Sequence, residues 1–92
     1  MFRTYIVQCS NGSYYVGHTH NLAVRIQDHN TGKGALYTRA RRHVRLVYSE
    51  AHSSELVAID HENQFKRWSR AKKKALIEND KETLRKLSKS RN

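Results

Sequence analysis

The stretch from Thr4 to Gly17, TYIVQCSNGSYYVG, constrains the fold more than any other part of the chain. Tyr5, Ile6 and Val7 have the aromatic and β-branched character of a strand. Ser10-Asn11-Gly12-Ser13 places an Asn-Gly pair where a tight turn favours positive φ, and Tyr14, Tyr15 and Val16 supply the returning strand. A β-hairpin is the expected result. It puts one tyrosine on each strand, Tyr5 and Tyr15, with Gly17 just beyond the second, so that both phenols can face one site. Tyrosine is also a favoured strand residue, and a purely structural use of both is the alternative.

After the hairpin, Asn21 is a good cap for a helix over Leu22 to His29, and Asn30-Thr31-Gly32 is a stop. At about 100° per residue, Leu22, Arg25, Ile26 and His29 share one face. The two aliphatics mark that face as core. An arginine and a histidine one turn apart on it either edge an anionic site or snorkel past the core to water. His18 and His20 alternate as strand neighbours do, yet no further ligand stands at a zinc-like spacing. They read as solvent-facing, and His43 and His52 as scattered.

Residues 31–42, TGKGALYTRARR, read as a loop. Gly-Lys-Gly lacks the glycine spacing and the following Ser or Thr of a P-loop. The crowded Lys33, Arg39, Arg41 and Arg42 are instead expected to meet backbone phosphates, with Tyr37 available to stack or to hydrogen-bond. A solvated surface loop is the alternative. Val44, Leu46 and Tyr48 alternate with Arg45, Val47 and Ser49, which predicts a third strand with one apolar face.

Ser53 or Ser54 caps a second helix, expected to run to about Trp68. Val57, Ala58, His61, Phe65 and Trp68 gather on its inner side, and Asp60, Asn63, Gln64 and Arg67 on its outer side. Glu62 falls within the apolar arc, between Ala58 and Phe65. A carboxylate there must take up a proton, pair with a cation such as Arg25, or bind a divalent metal, because a charged and dry carboxylate is strongly disfavoured. Beyond Trp68, SRAKKKALIEND predicts a short basic helix, and Asp80 starts a last one through Leu84 and Leu87. Leu76, Ile77, Leu84 and Leu87 are expected to cover one side of the sheet, and Ser88 to Asn92 to fray. Lys66, Arg70, Lys72, Lys73 and Lys74 extend the candidate phosphate-contacting set; a solvated basic face is the competing reading.

Ninety-two residues suit one domain, spanning 1–92, with 78–92 a helical C-terminal extension. Eighteen Lys and Arg against eight Asp and Glu give a formal charge of +10, which points to a polyanionic partner, nucleic acid first. The single Cys9 has no internal disulfide partner, and no secretory leader or membrane-length apolar run is present. A cytoplasmic location is therefore expected. Proline is absent and no repeat is visible, so nothing marks a linker.

The spaced set Tyr5, Tyr15-Val16-Gly17, Arg25, His29 and Glu62 resembles the motifs of the GIY-YIG nuclease superfamily. NLAVRIQDHNTGKGALYTRARR followed by LVYSE is similar to its small stand-alone bacterial branch. The resemblance runs from Thr4 to Ile77. It departs in the first motif half, where Arg3 and Thr4 precede the tyrosine, and where the lysine cluster replaces an asparagine that some members carry after the glutamate. The resemblance implies an α+β fold, a small three-stranded antiparallel sheet flanked by helices, and a metal-dependent endonuclease acting on DNA, with RNA not excluded. It further implies one divalent cation, Mg²⁺ or Mn²⁺, held by Glu62. Arg25 would stabilise the scissile phosphate, Tyr5 or Tyr15 would take a proton from the attacking water, and His29 would assist the tyrosine or contact phosphate. The implied products carry 5′-phosphate and 3′-hydroxyl ends, and the absence of any clamp favours single-stranded or distorted DNA.

Overall fold

The expected hairpin forms. β1 (Phe2–Gln8) and β2 (Tyr14–Thr19) pair antiparallel, from Gln8 opposite Tyr14 to Arg3 opposite Thr19. Its turn closes through Cys9 N–H to the Ser13 carbonyl at 2.8 Å and Gly12 N–H to the Cys9 carbonyl at 2.9 Å. Of the Asn-Gly pair only Gly12 takes positive φ, at 87°; Asn11 instead accepts from the Ser13 backbone and hydroxyl with its side-chain oxygen. β3 (Arg45–His52) joins the other edge of β1, which gives the strand order β2-β1-β3 in a computed structural model that describes residues 1–90. The α+β reading holds: a three-stranded antiparallel sheet carries helices on both faces.

Alternation in the third strand fails at a bulge. Ile6 faces Tyr48 while Val7 faces Leu46, so the register skips Val47. Val47 and Tyr48 consequently both pack with Ile6, and Leu46 is left exposed, rather than Val44, Leu46 and Tyr48 sharing one apolar face. The period of two along β1 builds two cores. Tyr5, Val7 and Cys9 join Val44, Tyr15, Leu22 and Ile26 on the face covered by α1 (Leu22–Thr31). Ile6 joins Val16, Phe65, Trp68, Leu76 and Ile77 on the face covered by α3 (Glu55–Lys66) and α4 (Arg70–Ile77). Ile6 and Val7 are fully buried, and each such side chain contributes about 1.5–3 kcal/mol.

α1 begins and ends where the caps predict. Asn21 accepts from Val24 N–H, and Gly32, at φ 88°, donates to the Asp28 carbonyl. The stretch 31–42 is not all loop: Leu36–Arg39 forms the one-turn α2, because the Ala35 carbonyl collects the N–H groups of Thr38 and Arg39. α3 follows Ser54 and ends at Lys66, so Trp68 lies past it, and Val57 is exposed rather than turned inward. α5 (Lys81–Ser90) packs on α4, whose Leu76 and Ile77 join the sheet-covering cluster. Of the tail expected to fray, residues 88–90 are helical, and 91–92 lie outside the described residues. No helix among the described residues is long and apolar enough to cross a membrane.

Candidate active site

Tyr5, on the central strand, points to the α1 side and lies across Gly17, its partner in register on the edge strand. A Cβ on Gly17 would stand 2.5 Å from the Tyr5 hydroxyl oxygen and 2.7 Å from Cζ, so the missing side chain is what lets the phenol extend over β2. α1 brings His29 to meet it: the ring is fully buried, with Nε2 2.8 Å from the Tyr5 hydroxyl and Nδ1 2.7 Å from the Thr38 hydroxyl. Of the two sequence readings of Arg25 and His29, snorkelling is ruled out for the histidine.

The hydrogens in this chain can be assigned. Thr38 donates to the Ala35 carbonyl at 3.0 Å, which leaves its oxygen to accept from His29 Nδ1–H. Nε2 is then the bare nitrogen and accepts from Tyr5 O–H. The Arg25 guanidinium stands near the Tyr5 oxygen, where its positive charge favours the phenolate. Burial pushes the Tyr5 pKa up to about 12, against the pull of Arg25, so the phenol stays protonated. Burial, reinforced by the Arg25 charge, lowers the His29 pKa from 6.5 and keeps the imidazole neutral at pH 7. Tyr15 packs edge-on to His29, with ring centroids 5.3 Å apart, and Tyr37 stacks on Tyr15 at 5.9 Å with the Arg41 guanidinium 3.9 Å from its own ring centroid.

Glu62 comes from the other face of the sheet. Its side chain is 12% exposed and forms no pair with Arg25; Oε1 lies 2.5 Å from His18 Nδ1 and Oε2 lies 2.6 Å from Lys66 Nζ. Burial works to raise its pKa, but the bonds from Lys66 and His18 outweigh it and hold the carboxyl below its usual range. His18, read as solvent-facing, is thus a half-buried partner of Glu62, while His20 is exposed. The two halves meet at a cleft of about 390 Å³ lined by His18, Asn21, Val24, Arg25, Asp28 and Glu55. The structure therefore brings Tyr5, Tyr15, Arg25 and His29 into one cluster, and joins Glu62, through its bond to His18, to the cleft that Arg25 lines.

Sequence reasoning missed Thr38, which sits in the stretch read as loop, and Gly34. A Cβ on Gly34 would lie 2.5 Å from His29 Nδ1, so the second glycine of Gly-Lys-Gly makes room for the imidazole. It also scattered His52, which in fact meets His61 at Glu50; the three are close enough to share a metal ion. The signal was there in Glu50 and His52 two apart on a strand, with His61 on the inner face of the next helix.

The basic residues divide by what they touch. Lys33 is exposed; Arg39 donates to the Gly32 carbonyl, Arg41 to the Tyr37 carbonyl, and Arg42 lies against Gly32. Lys66 is paired with Glu62, Arg70 lies over the Tyr14 ring, Lys72 over Trp68, and Lys73 is half-buried.

Residues 1–75 match the family model for the GIY-YIG catalytic domain. A UPF0213 protein of Bacillus pumilus is 47% identical over 74 residues, which are 80% of this chain and 76% of that protein. A UPF0213 protein of Staphylococcus haemolyticus is 49% identical over 74 residues, 80% of this chain and 90% of that protein. The solution NMR structure of a UPF0213 protein from Bacillus halodurans superposes with a TM-score of 0.55 at 42% identity, over 85% of this chain and 84% of the other. The chain belongs to the GIY-YIG domain-containing UPF0213 family.

Proposed function

We propose that the protein is a divalent-metal-dependent endonuclease that hydrolyses phosphodiester bonds in DNA, with a preference for single-stranded or distorted DNA. The observation that carries this reading is the chain of hydrogen bonds from Tyr5 through a neutral His29 to Thr38, with Arg25 lining the cleft and acting on Tyr5 with its charge. A phenol with a pKa of about 12 cannot act as a free base near pH 7. It can pass its own proton to His29 Nε2 while its oxygen takes one from water, and His29 then stores the proton. Tyr5 is buried, so in this reading the nearby Arg25 guanidinium moves out to the phosphate before water meets the phenol. Arg25 there offsets the charge that builds on the pentacovalent phosphate, the kind of stabilisation that dominates such reactions. The 3′ oxygen leaves and takes a proton from solvent water, and the products carry 5′-phosphate and 3′-hydroxyl ends. Tyr15, packed edge-on to His29, holds the relay imidazole in place.

Glu62 fits a one-carboxylate metal position: it is kept ionised, it bonds His18, which lines the open cleft, and one of its oxygens already holds a cation, the Lys66 ammonium. Mg²⁺ is commonly bound by one or two carboxylates with waters and phosphate oxygens completing the shell. A bound divalent cation there supplies Lewis-acid polarisation of a phosphate oxygen. Lys33, Arg39, Arg41, Arg42, Lys66, Arg70, Lys72 and Lys73 would supply the surrounding positive field, consistent with the charge of +10. A cytoplasmic location accords with a free, buried Cys9.

The test is incubation of labelled single-stranded, duplex, branched and RNA substrates with Mg²⁺ or Mn²⁺, wild type against Glu62→Ala, Arg25→Ala and Tyr5→Phe. Cleavage by wild type and loss in all three variants is expected, with single strands or junctions cut faster than perfect duplex. A second reading, a nucleic-acid-binding module with little activity of its own, is favoured by the engagement of both Glu62 oxygens by His18 and Lys66. It wins if wild type and Glu62→Ala retard DNA equally and neither cuts it.

A further inference from the structure

Across the sheet, His18, Thr4 and Glu50 form one row: Thr4 pairs with His18 on β2 and with Glu50 on β3. All three turn to the face under α3, where the Thr4 hydroxyl donates to the Ala58 carbonyl at 2.8 Å. Consecutive residues of α3 serve the two ends of this row. Glu62 takes His18, and His61 takes Glu50. Two strand spacings, about 10 Å, therefore separate the candidate active site from a second cluster.

That second cluster has the parts of a transition-metal site. His52 Nε2 is 2.8 Å from Glu50 Oε2, His61 Nδ1 bonds the same oxygen, and the three ligand atoms lie within 4.8 Å of one another. Ligands at about 2.0–2.2 Å around a tetrahedral zinc stand a little over 3 Å apart, so each imidazole nitrogen has to move only a little away from the carboxylate oxygen it now bonds. The Tyr48 hydroxyl donates to the other oxygen, Oε1, at 2.6 Å, and so fixes the carboxylate from behind as an outer partner does in zinc sites. The cluster is reachable: Glu50 is 21% exposed, His52 15% and His61 34%. Two imidazoles and one carboxylate suit Zn²⁺ far better than Mg²⁺, which prefers an all-oxygen shell.

We propose that Glu50, His52 and His61 form a Zn²⁺ site that ties the edge strand β3 to helix α3, separate from the Glu62 position. A carboxylate can only accept, so both ring nitrogens facing Glu50 carry hydrogen before binding. Each hydrogen moves to the other ring nitrogen or leaves to solvent as the metal takes the lone pair. Three protein ligands leave a fourth position for water.

The experiment titrates the metal-free protein with Co²⁺ as a spectroscopic probe and with Zn²⁺ by calorimetry. Wild type is expected to bind one Zn²⁺ and, with Co²⁺, to give the intense visible absorption of a tetrahedral site. It should also melt at a higher temperature with Zn²⁺ present. His52→Gln and His61→Gln, checked for folding by circular dichroism, should each weaken Zn²⁺ at least about tenfold, since even an outer-partner change costs 10–100-fold. Glu62→Gln should leave the affinity unchanged. Absence of the cobalt band and of Zn²⁺ binding in wild type overturns the proposal. So does binding that survives both histidine substitutions, or that is lost with Glu62→Gln.

Discussion

Replacing Thr38 by Val tests the tautomer assignment on which the relay rests. The two side chains are close in shape, but the change removes the acceptor of His29 Nδ1–H and the donor to the Ala35 carbonyl in a fully buried position. A buried donor left without a partner costs about 1–3 kcal/mol, and the lost bond to Ala35 about 1 kcal/mol more. With 2 kcal/mol as the lower figure, the melting temperature of a domain this size falls by roughly 8–16 °C. Urea unfolding followed through the emission of Trp68, the single tryptophan, measures the loss directly. Thr38→Ser should recover most of it. There is a chemical consequence as well: without Thr38, His29 is free to hold its proton on Nε2 and donate to Tyr5 instead of accepting. Cleavage should then fall by about 100-fold or more, the contribution of a positioned base. A Thr38→Val protein within about 0.5 kcal/mol of wild type, the range of a surface change, would refute the assignment.

Gly17→Ala places a methyl group 2.5 Å from a phenol oxygen that His29 holds and burial prevents from retreating, and it should cost about 1–3 kcal/mol; an unchanged melting temperature would show that the ring has room. The His29 pKa lies below 6.5 in the folded state, so the unfolded chain binds the extra proton first. Its contribution to stability is complete above pH 6.5 and is lost as the pH falls toward the lowered value. The slope of unfolding free energy between about pH 6.5 and 5 should flatten in His29→Asn, and an equal slope in both proteins counts against a buried neutral imidazole. DNA affinity should fall steeply with salt, and Lys33→Ala should lower the slope of log K against log salt by about one phosphate contact for every sequence tested, as gel retardation at several salt concentrations would read.

Local rules made the hairpin, the caps of α1 and the inward Glu62 legible, because each rests on neighbours within a few residues: a turn glycine, an asparagine before an apolar run, one acid in an apolar arc. They failed where distant segments compete. Val47 was assigned to the wrong side since a bulge shifts the register only when β1 and β3 are paired. Leu36–Arg39 coils because Thr38 is drawn under His29, a contact between residues nine apart that no propensity encodes.

Composition and motif spacing by themselves determined a small basic α+β domain with tyrosines, an arginine, a histidine and a glutamate at set intervals. Which of these groups touch was decided by the packing of two helices on opposite faces of one sheet. That packing gave Tyr5 to His29, gave Glu62 to His18 and Lys66 rather than to Arg25, and brought Glu50, His52 and His61 together. The reason is physical: a buried charge or imidazole is settled by whichever partner the fold puts within about 3 Å, and that distance is a property of the folded body rather than of the chain order.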